Sequence, residues 1–210
     1  MKSLISRLLP GIVLATAALL GTSASAANTP YITLDPAQPS DTQGKIEVLE
    51  FFAYTCPHCA AIEPMIEKWA KTFPENVVLQ PVPVAFNASM EDLQKLYYSL
   101  EAMDRTDLHP KVFHAIHDEH KRMFQADAIL DWVAEQGLDR KAFEDVFNSF
   151  GVKAKVMHAN ELAKTYRVEA TPSIAVNGRY LTSPSMTGSY QGAIDEADKL
   201  LKQALGQTAK

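Results

Sequence analysis

Ile46-Glu47-Val48-Leu49-Glu50-Phe51-Phe52, then Ala53-Tyr54-Thr55, then Cys56-Pro57-His58-Cys59 is the stretch that decides how this chain folds. The near-continuous apolar run predicts a strand covered on both faces. After Cys56, residues Ile62, Ile66, Trp69 and Phe73 recur at helical spacing. Pro57 suits the first helical position, where its missing N–H has no partner to lose. Pro64 is expected to kink this helix and Pro74 to mark its end. The free N–H groups and positive dipole end of a helix start stabilise an anion, and the thiolate is the reactive form of cysteine. A strand that runs into C-x-x-C and opens a helix therefore predicts a redox-active pair.

The two cysteines are the only ones in 210 residues, which bounds the alternatives. A purely structural disulfide closing so small a ring stabilises a fold by only about 2 kcal/mol on the loop-entropy model. A zinc site needs about four ligands; there is no second C-x-x-C, and the histidines other than His58 come much later.

The first residues read as an export signal. Lys2 and Arg7 are followed by an apolar core from Leu8 to Leu20 and by the small residues Ala24-Ser25-Ala26. This pattern predicts a secretory signal peptide over residues 1–26, and export predicts a compartment where disulfides persist. Cleavage removes Lys2 and Arg7 and no acid, so the net charge of −5 becomes −7. A mildly acidic chain without a basic run is a poor ligand for nucleic acid or anionic membrane. The remaining length suits one domain, or one domain with an insertion.

Working outward, Tyr31 to Leu34 is expected to add a short edge strand. Val77 to Val84 reads as a strand that Pro81 and Pro83 push to a sheet edge. From Ser89 the period changes to 3.6. Ser89 and Asp92 resemble a capping box ahead of Leu93, Leu96, Tyr97 and Leu100. Pro110 opens a helix with Phe113 and Ile116 inward, and another runs from Asp127 to Gln136 and stops at Gly137. Asp139 is placed to cap a helix running through Phe150, with Leu138 and Phe143 as a staple, and a longer helix is expected from Val152 to Tyr166. Ser173 to Val176 and Arg179 to Thr182 flank Asn177-Gly178, a strong hairpin signal. A final amphipathic helix carries Ile194, Ala197, Leu201 and Ala204. The expected organisation is a signal peptide (1–26), a first part of the main domain (27–87), a helical insertion (88–154) and a second part (155–210). Without the insertion the order is β-α-β…α-β-β-α, an α/β thioredoxin fold with an inserted all-helical domain.

On Leu49-Glu50-Phe51-Phe52, Cys56-Pro57-His58-Cys59, Thr171-Pro172-Ser173, Asn177-Gly178-Arg179-Tyr180 and the helical insertion, the chain resembles the DsbA family of secreted bacterial thiol:disulfide oxidoreductases. The resemblance covers essentially all of residues 27–210. It implies a periplasmic enzyme, without metal or cofactor, that oxidises thiols of newly exported proteins and is itself reoxidised by a membrane quinone oxidoreductase of the DsbB type. A monomer is expected. Competing readings are a disulfide isomerase or reductase, and a peptide-binding chaperone whose redox pair is secondary.

The site chemistry follows. Cys56 is expected to be the exposed nucleophile and Cys59, one turn inside, its buried partner. His58, beside the helix start, is placed to stabilise the Cys56 thiolate. Glu50 is a carboxylate inside an apolar strand, where desolvation raises its pKa. The resemblance implies that Glu50 lies beneath Cys59 and exchanges a proton with it. Relatives often pair this acid with a lysine on the adjacent strand, where this chain has Gln80, Pro81 and Val82. The resemblance also makes Thr171-Pro172 a cis-proline loop beside the disulfide and, with Pro57, part of the substrate-binding surface. His114, His117 and His120 recur every third residue, but His114 points away from the other two, so partly buried or surface histidines are expected rather than a metal site.

Overall fold

A computed structural model describes residues 29–208; the signal peptide expected over residues 1–26 lies outside them. The strands are β1 (Tyr31–Thr33), β2 (Ile46–Phe52), β3 (Val77–Pro83), β4 (Ser173–Val176) and β5 (Tyr180–Thr182). They form one sheet in the spatial order β1-β5-β4-β2-β3. The neighbours β2 and β3 run parallel, and the other pairs are antiparallel. Central β2 is buried at every residue. The proline-bearing β3 lies at the edge, with Pro81 opposite Glu50 and Pro83 opposite Phe52. This is the position where missing ladder donors do least harm.

Helix α1 (Pro57–Ala70) follows β2 as one helix with Pro64 inside it. Between β3 and β4 come α2 (Glu91–Ala102), α3 (His109–His117), α4 (Ala126–Glu135), α5 (Arg140–Phe147) and α6 (Phe150–Thr165). After β5 come the short α7 (Pro184–Thr187) and α8 (Tyr190–Thr208). The alternation of β2 divides the interior. Ile46 and Val48 join Ile62, Ile66 and Trp69 of α1 and Ile194, Ala197 and Leu201 of α8 in one core. Leu49 and Phe51 join the larger core built with α2 to α6. Glu50, in step with Ile46 and Val48, is thereby directed under α1.

Gly178 turns the hairpin between β4 and β5 with φ +66°, after Asn177 at φ +54°. A Cβ on Gly178 would lie 2.0 Å from the Gln38 carbonyl oxygen, so both conformation and space demand glycine there. Asp139 caps α5 as expected, accepting the Ala142 N–H at 2.7 Å.

Two local expectations are corrected. Ser89 and Asp92 do not form a capping box: Asn87 accepts the Ser89 N–H at 3.0 Å and caps a 3-10 turn over Ala88–Met90. Asp92 instead accepts the Ala126 N–H and the Lys95 ammonium, each at 3.1 Å, tying α2 to the start of α4. The helix expected through Phe150 ends at Phe147, because the Ser149 hydroxyl accepts the Val152 N–H at 3.2 Å and starts α6. Helix α6 runs unbroken across residues 154 and 155.

Candidate active site

Cys56 is the residue at which β-type backbone turns into α1, and Pro57 occupies the first helical position. The two cysteines are unbridged; Cys56 is partly exposed and Cys59 is fully buried. Only one sulfur of the pair is open to attack.

The surroundings divide the two thiols electrostatically. The Cys59 thiol donates a hydrogen bond to the Cys56 sulfur, and the Cys59 backbone N–H, the Thr171 side chain and the His58 backbone N–H add to it; against the opposing effect of partial burial they bring Cys56 down to about 5. Burial pushes the Cys59 thiol far up, and its bond to Cys56 pushes it further. In the thiol form, Cys56 Sγ donates to the Thr171 carbonyl oxygen at 3.3 Å. Thr171–Pro172 is a cis peptide, so the expected loop conformation is present beside Cys56. A second cis bond, Asp35–Pro36, was not anticipated.

His58 contributes its backbone to Cys56, while its ring is engaged elsewhere. Nδ1 hydrogen-bonds the Tyr190 hydroxyl at 2.7 Å, linking the first turn of α1 to the first residue of α8. His58, Thr171, Pro172, Pro184, Ser189 and Tyr190 line a mainly apolar groove of about 560 Å³ next to Cys56. Pro57 faces a different groove of about 400 Å³, shared with Glu63, Pro110 and His117.

Glu50 is fully buried, and apart from the facing Glu63 carboxyl its oxygens have no hydrogen-bond partner among the described residues. Burial pushes its carboxyl well above the usual range, and the facing Glu63 carboxyl adds to the effect. Its β3 neighbour is Pro81, and Gln80 stands opposite Leu49, so no lysine meets it from that strand. Of the three spaced histidines, His114 is exposed beside Asp118 and Glu119. His117 Nε2 lies 2.8 Å from the Tyr54 carbonyl oxygen, and His120 is exposed at φ +57°.

Sequence reasoning missed Tyr190, Tyr54, Glu63 and His109. Glu63 had a local signal, since it is four residues beyond Cys59 and so shares its helix face. Tyr190 had none, because its partner His58 is 132 residues away.

Residues 47–195 match the model of a DSBA-like thioredoxin domain. The chain is similar to the thiol:disulfide interchange protein DsbA of Bordetella pertussis, with 58% identity over 175 residues, covering 83% of this chain and 84% of that protein. Its similarity to the DsbA of Pseudomonas aeruginosa strain PAO1 is 35% over 196 residues, covering 91% of this chain and 93% of the other. A crystal structure of Pseudomonas aeruginosa DsbA superposes with a TM-score of 0.82 at 34% identity, covering 86% of this chain and 95% of that one. The oxidoreductase NmDsbA1 of Neisseria meningitidis gives 0.75 at 27% identity, covering 86% and 94%.

Proposed function

This chain belongs to the DsbA family of thiol:disulfide oxidoreductases, and we propose that it donates a Cys56–Cys59 disulfide to newly exported proteins in the periplasm. The observation that carries the reading is the asymmetry of the pair: an attackable Cys56 at a helix start, bonded to the Thr171 loop, above a fully buried Cys59.

A substrate thiolate attacks Cys56 Sγ, and the electron pair of the disulfide passes to Cys59 Sγ. A thiolate is unfavourable at that buried site, and Glu50, held protonated by burial, supplies its proton. A second substrate thiolate then attacks the substrate sulfur of the mixed disulfide. Cys56 leaves as a thiolate, and the substrate carries away the new disulfide. The donors around Cys56 stabilise that leaving group, which favours the reduced enzyme and makes the disulfide oxidising. His58 tunes the same balance from the helix start. The groove at Thr171 and Pro172 accepts an extended substrate segment, whose backbone pairs with the loop, and Pro57 completes the contact surface on the other side of Cys56.

The enzyme acts as a monomer, is exported by the signal peptide of residues 1–26, and is reoxidised by a membrane quinone oxidoreductase of the DsbB type. The test is equilibration with a glutathione redox buffer, measuring the oxidised fraction by alkylation and mass. A dithiol oxidase stays largely reduced until the buffer is strongly oxidising. A pair already oxidised in a reducing, cytosol-like buffer belongs to a reductase and overturns the reading.

A further inference from the structure

Behind α1 lies a chain of buried polar groups that ends at Glu50, and its other members take no part in the thiol chemistry above. The Tyr54 hydroxyl is 2.6 Å from His109 Nδ1. His109 Nε2 approaches Glu63 Oε1 at 3.3 Å, close but outside good hydrogen-bond alignment. The Glu63 carboxyl in turn faces that of Glu50. Exposure is 2% for Tyr54, 5% for His109, 5% for Glu63 and 0% for Glu50. Apart from that contact between the two carboxyls, both oxygens of Glu50, Oε2 of Glu63 and Nε2 of His109 are without hydrogen-bond partners among the described residues. Other ionisable groups near the cluster are Glu67 on α1, Tyr97 on α2 and His117 on α3.

We propose that Tyr54, His109 and Glu63 are positioning residues that keep Glu50 protonated, so that it is loaded with the proton Cys59 takes when the disulfide opens. The inference rests on the reading of Glu50 as the acid for Cys59.

The order of the chain sets which groups donate and which accept. Burial keeps the Tyr54 hydroxyl protonated, so it donates to His109 Nδ1. With Nδ1 accepting, a ring hydrogen lies on Nε2, the atom that faces Glu63. This Nε2–H lies 3.3 Å from the Glu63 carboxyl, and the negative charge density of that carboxyl opposes a charge on the facing Glu50. When Cys59 Sγ leaves with the disulfide electron pair, the proton of Glu50 moves to it, giving a neutral thiol and a transient Glu50 carboxylate. Two facing carboxylates in a dry site are unstable, and Glu50 is reloaded from solvent. The groove of about 400 Å³ that reaches Glu63, with His114 and Asp118 at its outer wall, is the route to solvent.

The test uses the oxidised protein, in which neither cysteine titrates. The carbonyl stretch of the protonated Glu50 carboxyl, identified by its loss in Glu50→Gln, is followed by infrared difference spectroscopy against pH. The rate of mixed-disulfide formation with a thiol peptide, divided by the peptide's thiolate fraction, is measured over the same range. Wild type should lose the Glu50 signal and rate together at high pH. Glu63→Gln removes the facing charge and should move both losses down by about one pH unit or more. Tyr54→Phe, which removes one hydroxyl, should move them the same way by less, and it keeps the test decisive if the Glu63 variant does not fold. Losses at the wild-type pH in both variants overturn the role of the chain while leaving Glu50 in place. A Glu50→Gln variant with the wild-type rate profile overturns the role of Glu50 and the inference with it.

Discussion

Cys56 Sγ lies 3.3 Å from the carbonyl oxygen of Thr171, a residue 115 positions away, so the start of α1 and the loop before β4 meet at the reactive sulfur. Donors from both segments surround Cys56, while Cys59 beneath it sees mainly apolar surroundings.

The ultraviolet absorbance of the thiolate in the reduced protein should titrate at about 5 and disappear in Cys56→Ser. Brief alkylation of the native reduced protein should label Cys56 and spare the fully buried Cys59, as read by peptide mass. A midpoint near the free-cysteine value of about 8.5 would contradict the donor arrangement.

His58→Leu should raise that midpoint by about one unit yet leave it well below a free cysteine. The side-chain donation of Cys59 and the backbone N–H groups persist in the variant. One unit is about 1.4 kcal/mol, equivalent to about 30 mV for this couple, and the disulfide should become less oxidising by that amount in a glutathione buffer. An unchanged potential would confine His58 to its contact with Tyr190.

The reduced protein should be more stable than the oxidised one at pH 8, unlike proteins with structural disulfides. The thiol of the folded protein titrates at about 5, below its unfolded value, so the unfolded chain binds more protons between those pH values. The stabilisation is therefore fully present above the unfolded pKa and is lost as pH falls through about 5. Denaturant midpoints of both forms at pH 8 and pH 4.5 decide the point, and a difference that does not shrink at the lower pH counts against it.

Gly178→Ala should destabilise the fold by about 2 kcal/mol or more, since its Cβ would meet the Gln38 carbonyl at 2.0 Å with φ at +66°. Gly44→Ala, at φ +74° with nothing within 4 Å, should cost less. Urea midpoints rank the two, and equal losses would mean that the Gln38 segment simply moves aside.

What the sequence alone determined is what neighbours in the chain dictate. The run Ile46 to Phe52 has only one way to bury its side chains, Pro57 and Cys56 mark a helix start, and Asn177-Gly178 can turn a hairpin. Prolines 81 and 83 could lie only where ladder donors are dispensable, and the Asp139 cap needed only residues three apart. Even locally the competition among polar residues was close: Asn87 won the cap assigned to Ser89, and Asp92 went to Ala126, because a hydrogen bond goes to whichever donor the packing presents. The tertiary structure alone decided which distant groups share the dry space behind α1. Glu63, His109 and Tyr54 come from α1, α3 and the turn after β2, and nothing within one segment sets their approach. Glu50 was legible as a misplaced charge, but its facing partner was not. The state of a buried carboxyl depends on every group within a few ångströms, and those come together only when sheet and helices close.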